Sequence, residues 1–503
     1  AFFGDLVSSR RLRSIIDFEN REKLFPAVDS RMKFAILAIG PSDKADFAFF
    51  LQNTTMYEDK ERRFTLSPEQ IAAINPNTKT APIFRSRTDA ELAAKLYSKA
   101  PVLIEDRPDH PDGDKNPWGL SFQRMFDMSN DSGFFESEDD LTRKGFDRSG
   151  AIWEHSDGRR FLPLFEAKMI HHYDHRWATY EGENEEQSTR DVTLEEKQEP
   201  NFEPTPRYWA PEDEVDLRAS RVPTRLKSAF RKEDAEGCLK ILAEWVLGSV
   251  ENLKPQNPIS TLGDIQRHLS NTLGPQATSS NVVGRSLQKW LSDSAPRGAE
   301  MQRYTPLSKD DLEFIEDYSG RWLELTGGLI DRKKPRWLMG FRDITNSTNE
   351  RTVVGGMFPK AGVGNNLPIW SPSANFSAQE VASLCGLFTS LPFDFIARHK
   401  VGGTHLNFFI AQQLPTIAPD GFSRDDIDYA SSRVLELTYT SHSMRPWAED
   451  LGCTGAPFAF DPDRRAQLRA ELDAFFAKKY GLTRDELRYV LDPHDVKGAD
   501  YPS

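Results

Sequence analysis

The segment 341–352 concentrates hydrogen-bonding chemistry. Arg342, Asp343, Thr345, Asn346, Asn349, Arg351 and Thr352 fall in one short run between the apolar stretches 337–340 and 353–358. A strand, a polar turn and a second strand in that order hold amide, hydroxyl and guanidinium groups at one end of a sheet. Such a set suits base edges, where Asn pairs with adenine and Arg with guanine, or phosphate oxygens. A solvated hairpin has the same composition, and other segments bear on the choice. His171, His172 and His175 flank Tyr173 and Asp174, but neighbours on a strand face opposite ways and no metal-ligand spacing fits. Packing in a polar turn, or contact with nucleic acid together with Arg176, is what this cluster predicts. Glu166 and Lys168 match the last half of an acidic–Glu-x-Lys nuclease pattern, with Asp109, Asp112 or Asp157 as the upstream acid. A magnesium nuclease needs such groups converging on the scissile phosphate. The triplet is common by chance, and Lys168 equally suits a phosphate contact.

In 362–366 the glycines predict a tight turn between strands that leaves Asn365 and Asn366 open to solvent or to bases. No lysine or helix start follows in the place a phosphate loop requires. Residues 398–407 combine Arg398, His399 and Lys400 with a glycine pair, Thr404, His405 and Asn407. Cations there offset a helix dipole and glycine supplies the turn, while the same groups would suit a DNA backbone. Basic residues also gather at Arg207, Arg218, Arg221, Arg225, Lys227, Arg231 and Lys232, and again at Arg332, Lys333, Lys334 and Arg336. A solvated face is the default for such runs, and a nucleic-acid surface the alternative.

The elements that must position these groups are mixed α/β and α+β. The 503 residues carry a net charge of -13, which excludes wholesale coating of nucleic acid but not a local basic groove. Three widely separated cysteines form no metal or redox pair, and no apolar run reaches transmembrane length. These features point to a cytoplasmic protein with no membrane partner. Residues 2–7 read as helix, 14–18 as a short buried strand, and 34–40 as an apolar strand of the kind buried in the middle of a sheet. The abrupt start, and the stop at Ser503, predict a piece of a longer protein. Ser67 and the stretch 89–100 predict helices, and 118–209 short strands with polar turns, the acidic part 181–199 forming a mobile loop. Periodicity in 239–247 and 282–291 predicts a helical insertion. Strands resume over 337–370. Ser377 caps one long helix over 380–398, a strand follows at 406–410, and helices over 464–479 and 483–490 close the chain.

Several segments together resemble one family. Residues 15–34, from Ile15 through Asp17, Phe18, Glu19 and Asn20 to Phe34, resemble the last strands of N6-adenine DNA methyltransferases. The resemblance is to the large type IIG-like, Eco-type enzymes of bacterial restriction–modification and phage defence. Residues 163–180, 341–352, the helix ending at Arg398 and 407–415 resemble the target-recognition domain, and 480–491 the helical tail. The resemblance implies the closing strands of a Rossmann-like sheet in 1–60, a helical connector in 61–117, a recognition domain in 118–222 and 331–416, a helical insertion in 223–330, and a helical tail in 417–503.

It further implies S-adenosylmethionine as the cofactor of the whole enzyme and a flipped adenine methylated within an Asn/Asp-Pro-Pro-aromatic motif. That motif is absent here: Asn116-Pro117-Trp118 and Asn75-Pro76-Asn77 both lack the second proline. No catalytic residue, metal or bound cofactor is therefore expected in this chain. Its expected partners are double-stranded DNA, the catalytic half and other defence-system subunits. The residues expected to face DNA are Lys168, His171, His172, His175, Arg176, Arg342, Asp343, Thr345, Asn346, Asn349, Arg351, Thr352, Asn365, Asn366, Lys400, Thr404, His405 and Asn407. Asp17, Phe18, Glu19 and Asn20 are expected to border the flipped-base cleft. The alternatives are a magnesium nuclease built on Glu166 and Lys168, and a protein-interaction module using the insertion.

Overall fold

The structure is a computed structural model that describes residues 2–107, 110, 113–182, 189–235, 237–238, 241–242, 245, 307–308, 310–311, 314–315 and 321–498. The fold is a mixture of sheets and helices, as the sequence predicts. The helical stretch expected at 282–291, most of 239–247, and the acids Asp109 and Asp112 lie outside the described residues.

The first sheet holds β1 (Leu12–Glu19), β2 (Lys33–Ile39), β3 (Ala45–Leu51) and β4 (Phe64–Leu66) in the order β2-β1-β3-β4. β1 runs parallel to β3 and antiparallel to β2. The expectation for β2 is corrected: it is an edge strand, with Ile36 58%, Leu37 40% and Ile39 46% exposed. Its apolar residues fall on both faces, as in a strand covered on two sides, but β1 is its one neighbour among the described residues. Against this sheet pack α1 (Phe2–Ser8), α2 (Pro68–Ile74) and α3 (Arg87–Lys99). The last two start at reciprocal capping boxes, Ser67 with Gln70 and Ser86 with Asp89.

The remaining strands are β5 (Ser121–Gln123), β6 (Asp147–Ser149), β7 (Ile152–Glu154), β8 (Arg160–Phe165), β9 (Ala178–Thr179), β10 (Arg190–Asp191), β11 (Trp209–Pro211), β12 (Trp337–Phe341), β13 (Gly355–Pro359), β14 (Gly362–Val363) and β15 (Ile369–Ser371). One antiparallel sheet has the order β13-β12-β15-β5. Another has the order β11-β8-β7-β6, with β14 added parallel to β8. Glycine permits the tight β12–β13 ladder, because a Cβ on Gly355 would stand 2.5 Å from the Gly340 carbonyl oxygen. The mobile loop expected over 181–199 is corrected for its described residues, which carry β10 and the helix Leu194–Gln198.

Ser377 caps a helix as expected, but the predicted long helix is two: Ala378–Phe388 and Leu391–Lys400, bent by 54°. Pro392 cannot donate into a continuing helix, and the free N–H of Leu391 instead reaches Asp473 Oδ1 at 2.7 Å. The strand expected at 406–410 is a short helix, Phe408–Ala411, capped by Asn407. Both halves of the bent helix are largely buried. One continuous apolar cluster joins Leu6 in α1 to Val490 in the tail, and Tyr489 bonds Asp89 across it at 2.7 Å. No single helix among the described residues is long and apolar enough to cross a membrane.

Candidate nucleic-acid interface

The loop after β12 is closed at its base and held stiff. Arg342 N–H donates to the Val354 carbonyl at 2.8 Å, and Thr345 Oγ1 donates to the Thr352 carbonyl at 2.6 Å. Inside the loop, Asn346 Oδ1 accepts the N–H of Thr348 at 3.0 Å, an Asx turn that presents the Asn346 amide outward. Asn346, Thr348 and Asn349 are exposed, whereas Asp343, Thr345 and Thr352 are buried.

Two other expected segments are built onto this loop. Thr345 N–H donates to the Thr404 carbonyl at 3.0 Å and Leu406 N–H to the Asp343 carbonyl at 2.8 Å, so Ile344 and His405 form a β-bridge. Asp343 N–H donates to the Asn366 carbonyl at 3.0 Å, which fixes the 364–366 turn alongside. Arg398 reaches from the helix end to the carbonyls of Asn349 and Glu350, at 3.0 and 2.9 Å. Thr404, His405 and Asn407 are exposed on this face, Asn407 accepting the Ile410 N–H as a helix cap.

Asp343 is the hub beneath. Arg124, which no local pattern singles out, follows β5 and donates to Asp343 Oδ2 at 3.1 Å while lying 5.0 Å over the Phe408 ring. The His405 ring nitrogen stands 3.4 Å from Asp343 Oδ1, an oxygen that receives no hydrogen bond. A buried carboxylate thus steadies two exposed cationic or cation-forming side chains. The signal for Arg124 exists only in three dimensions, through the pairing of β5 with β15.

A cavity of about 320 Å³ opens on the same face, lined by Met128, Glu166, Lys168, Arg342, Ile344, Asn365 and Asn366 among others. Tyr180 donates its hydroxyl to Glu166 Oε1 at 2.6 Å, and Lys168 lies 4.7 Å over the Tyr180 ring. Burial, and then the Glu166 bond, raise the Tyr180 pKa, so its hydroxyl stays a donor. Arg342 is committed to the protein: its Nε donates to the Ile170 carbonyl at 2.8 Å.

The remaining expected contacts are corrected by burial. His172, His175 and Arg176 are inside. Arg176 donates to the carbonyls of Lys197, Thr440, Glu199 and Phe202, tying the turn to the tail. Asp174 pairs with Lys197 at 2.7 Å, and His175 meets Ser441 Oγ at 3.1 Å. His171, half-buried, stacks on Trp177 at 4.2 Å. Burial, then Arg342, brings its pKa down to about 4, and burial brings His175 down to about 3. Arg351 is ion-paired with Asp473 at 2.7 Å, with its side chain 13% exposed. Lys400 turns away to the Ile74 carbonyl at 2.9 Å, and burial pushes its pKa down to about 7.

At the end of β1, Asn20 is fully buried and organises the following loop through Phe25, Val28 and Asp29, while Glu19 pairs with Lys33 at 2.9 Å. Phe18 is buried, and burial raises the pKa of half-buried Asp17. These side chains shape the strand end and its loop. The basic runs are also largely neutralised: Arg218 pairs with Asp131 and Glu214, Arg231 with Glu214, Lys333 with Asp311, and Arg336 with Glu449 and Asp450. For the nuclease alternative, no cluster of metal-ligating side chains occurs among the described residues, and Asp157 is engaged by His155 and Arg159.

No family model matches this sequence, and no curated protein matches it. Among solved structures there is a likeness to a chain reported under "Characterization and crystal structure of the type IIG restriction endonuclease BpuSI". It is 11% identical with a TM-score of 0.26, over 98% of this chain and 45% of that one. This chain therefore spans less than half the length of that enzyme, and a likeness of this size decides nothing about fold or function.

Proposed function

We propose that this chain is the DNA-recognition part of an S-adenosylmethionine-dependent N6-adenine DNA methyltransferase of a restriction–modification or defence system. What supports the reading is the convergence of 342–349, 364–366 and 402–407 on one stiff face with Arg124 and Lys168. Segments far apart in sequence present amides and cations together, as groove reading requires. Asn346 and Asn349 address base edges, and a bidentate Asn–adenine pair discriminates by about 1–3 kcal/mol. Lys168 and Arg124 contact phosphates. The resemblance assigns cofactor binding and methyl transfer to the catalytic half, and no residue here is assigned to either.

The test is fluorescence anisotropy with labelled duplex DNA, for the wild type and for Arg124→Ala combined with Lys168→Ala. The double variant is expected to bind about ten-fold or more weakly, with a salt slope lower by about 2. Equal binding by both proteins, or methylation of DNA by this chain alone, contradicts the proposal.

A further inference from the structure

The cavity beside the recognition loop has a chemistry that groove reading does not use. The side-chain amides of Asn365 and Asn366 are half-buried and make no hydrogen bond with the described residues. Among the described residues Glu166 takes one bond, from Tyr180 to Oε1, and its Oε2 takes none. These polar atoms still reach solvent, so a ligand with matching donors and acceptors takes the place of water on them. At about 320 Å³ the space is at the lower end of small-molecule sites, enough for one heterocycle.

The rim carries a second observation. Ile344 is 51% exposed in the middle of an otherwise polar face and lines this cavity. Apolar wedges of this kind enter base steps and unstack them.

We infer that the cavity receives one guanine unstacked from the DNA, with Ile344 as the wedge. This rests on the DNA-reading face proposed above. The choice of base follows from donors and acceptors. A carboxylate offers lone pairs on both oxygens, and the N1–H and N2–H donors of guanine match it side by side. The amides of Asn365 and Asn366 then donate to O6 and N7. Adenine and cytosine present a ring-nitrogen acceptor beside their amino group, which would face the carboxylate repulsively. The site is separate from any pocket for a methylated adenine, because its carboxylate opposes that base.

The experiment compares 5′-GMP, 5′-IMP and 5′-AMP binding to the full chain by calorimetry, alongside duplexes that are fully paired or carry a single guanine or adenine bulge. Expected are GMP binding at least ten-fold tighter than IMP, which lacks the N2 amino group, and than AMP. A guanine bulge should likewise raise duplex affinity about ten-fold, with no gain from an adenine bulge. Glu166→Gln should abolish these differences, and Asn365→Ala with Asn366→Ala should reduce them. Ile344→Ala should lower affinity for paired duplex and leave GMP binding intact. Equal binding of the three nucleotides, equal gains from both bulges, or unchanged GMP preference in Glu166→Gln overturns the inference. Paired-duplex binding by the wild type reports on the recognition face separately: its loss with GMP preference intact removes the DNA reading, and the converse removes the pocket.

Discussion

The loop 342–349 and the turn 171–176 have similar polar composition, and the fold uses them in opposite ways. The loop is tied to its neighbours through its backbone, and its Asx turn leaves the Asn346 amide outward while the Asn349 amide reaches back to Thr345 Oγ1 at 3.4 Å. The turn uses its side chains to satisfy other segments: Arg176 holds carbonyls from 197–202 and from Thr440, and Arg465 reaches the Tyr173 carbonyl at 3.1 Å. Where the backbone carries the long-range bonds, as Thr345 N–H to Thr404 and Asp343 N–H to Asn366 do, side chains such as Asn346 and Thr348 stay outward. Where the side chains carry them, the run is a seam between parts of the molecule.

That contrast is open to attack at several points. The largest effect belongs to the seam: Arg176→Met strands several buried carbonyls and should cost about 3–5 kcal/mol in urea unfolding, with loss of the native fold near 37 °C. A cost below about 1 kcal/mol would show that the turn is not structural.

Acid should act through the same turn. His175 has its folded pKa depressed to about 3 against an ordinary 6.5, so the unfolded chain takes up the proton first as pH falls. Its contribution is complete above about pH 6.5 and is lost progressively below it, up to about 3 kcal/mol by pH 4. Half-buried His171, held at about 4, acts in the same direction. Unfolding midpoints at pH 7 and pH 4.5 measure the loss, and His175→Gln should flatten it.

On the loop side the effects move to binding. Lys168→Ala should weaken DNA binding about three- to ten-fold, reduce the salt slope by about 1, and cost no more than about 1 kcal/mol in stability through its contact with the Tyr180 ring. Smallest of all, Thr348→Ala on the exposed tip should stay within about 0.5 kcal/mol of wild-type stability. A larger shift would mean that the loop depends on that tip for its shape.

Local signals were legible in the sequence wherever the physics is local. Ser67, Ser86 and Ser377 cap helices as their spacing with Gln70, Asp89 and Glu380 requires. The bend before Pro392 carried a local sign in the proline itself, but its second support, the Leu391–Asp473 bond, joins residues 82 positions apart. For the candidate site, 342–349 and 365–366 could be read as polar turns, and their meeting could not. Burial of His175 and Arg176 was illegible because their partners sit in the tail and beyond the next loop. In the basic run 207–232 the pairing of Arg218 with Asp131 and Glu214, and of Arg231 with Glu214, was illegible for the same reason. Arg124 belongs to the face only through the pairing of β5 with β15.

Hydrogen exchange of the full chain with and without duplex DNA separates the reading face from the seam. Exchange should slow in 342–350, 364–367 and 402–407 when DNA binds, with 171–176 protected equally in both states. Slowing confined to 207–232, or no change in the three segments at a DNA concentration that saturates anisotropy, would contradict that division of roles.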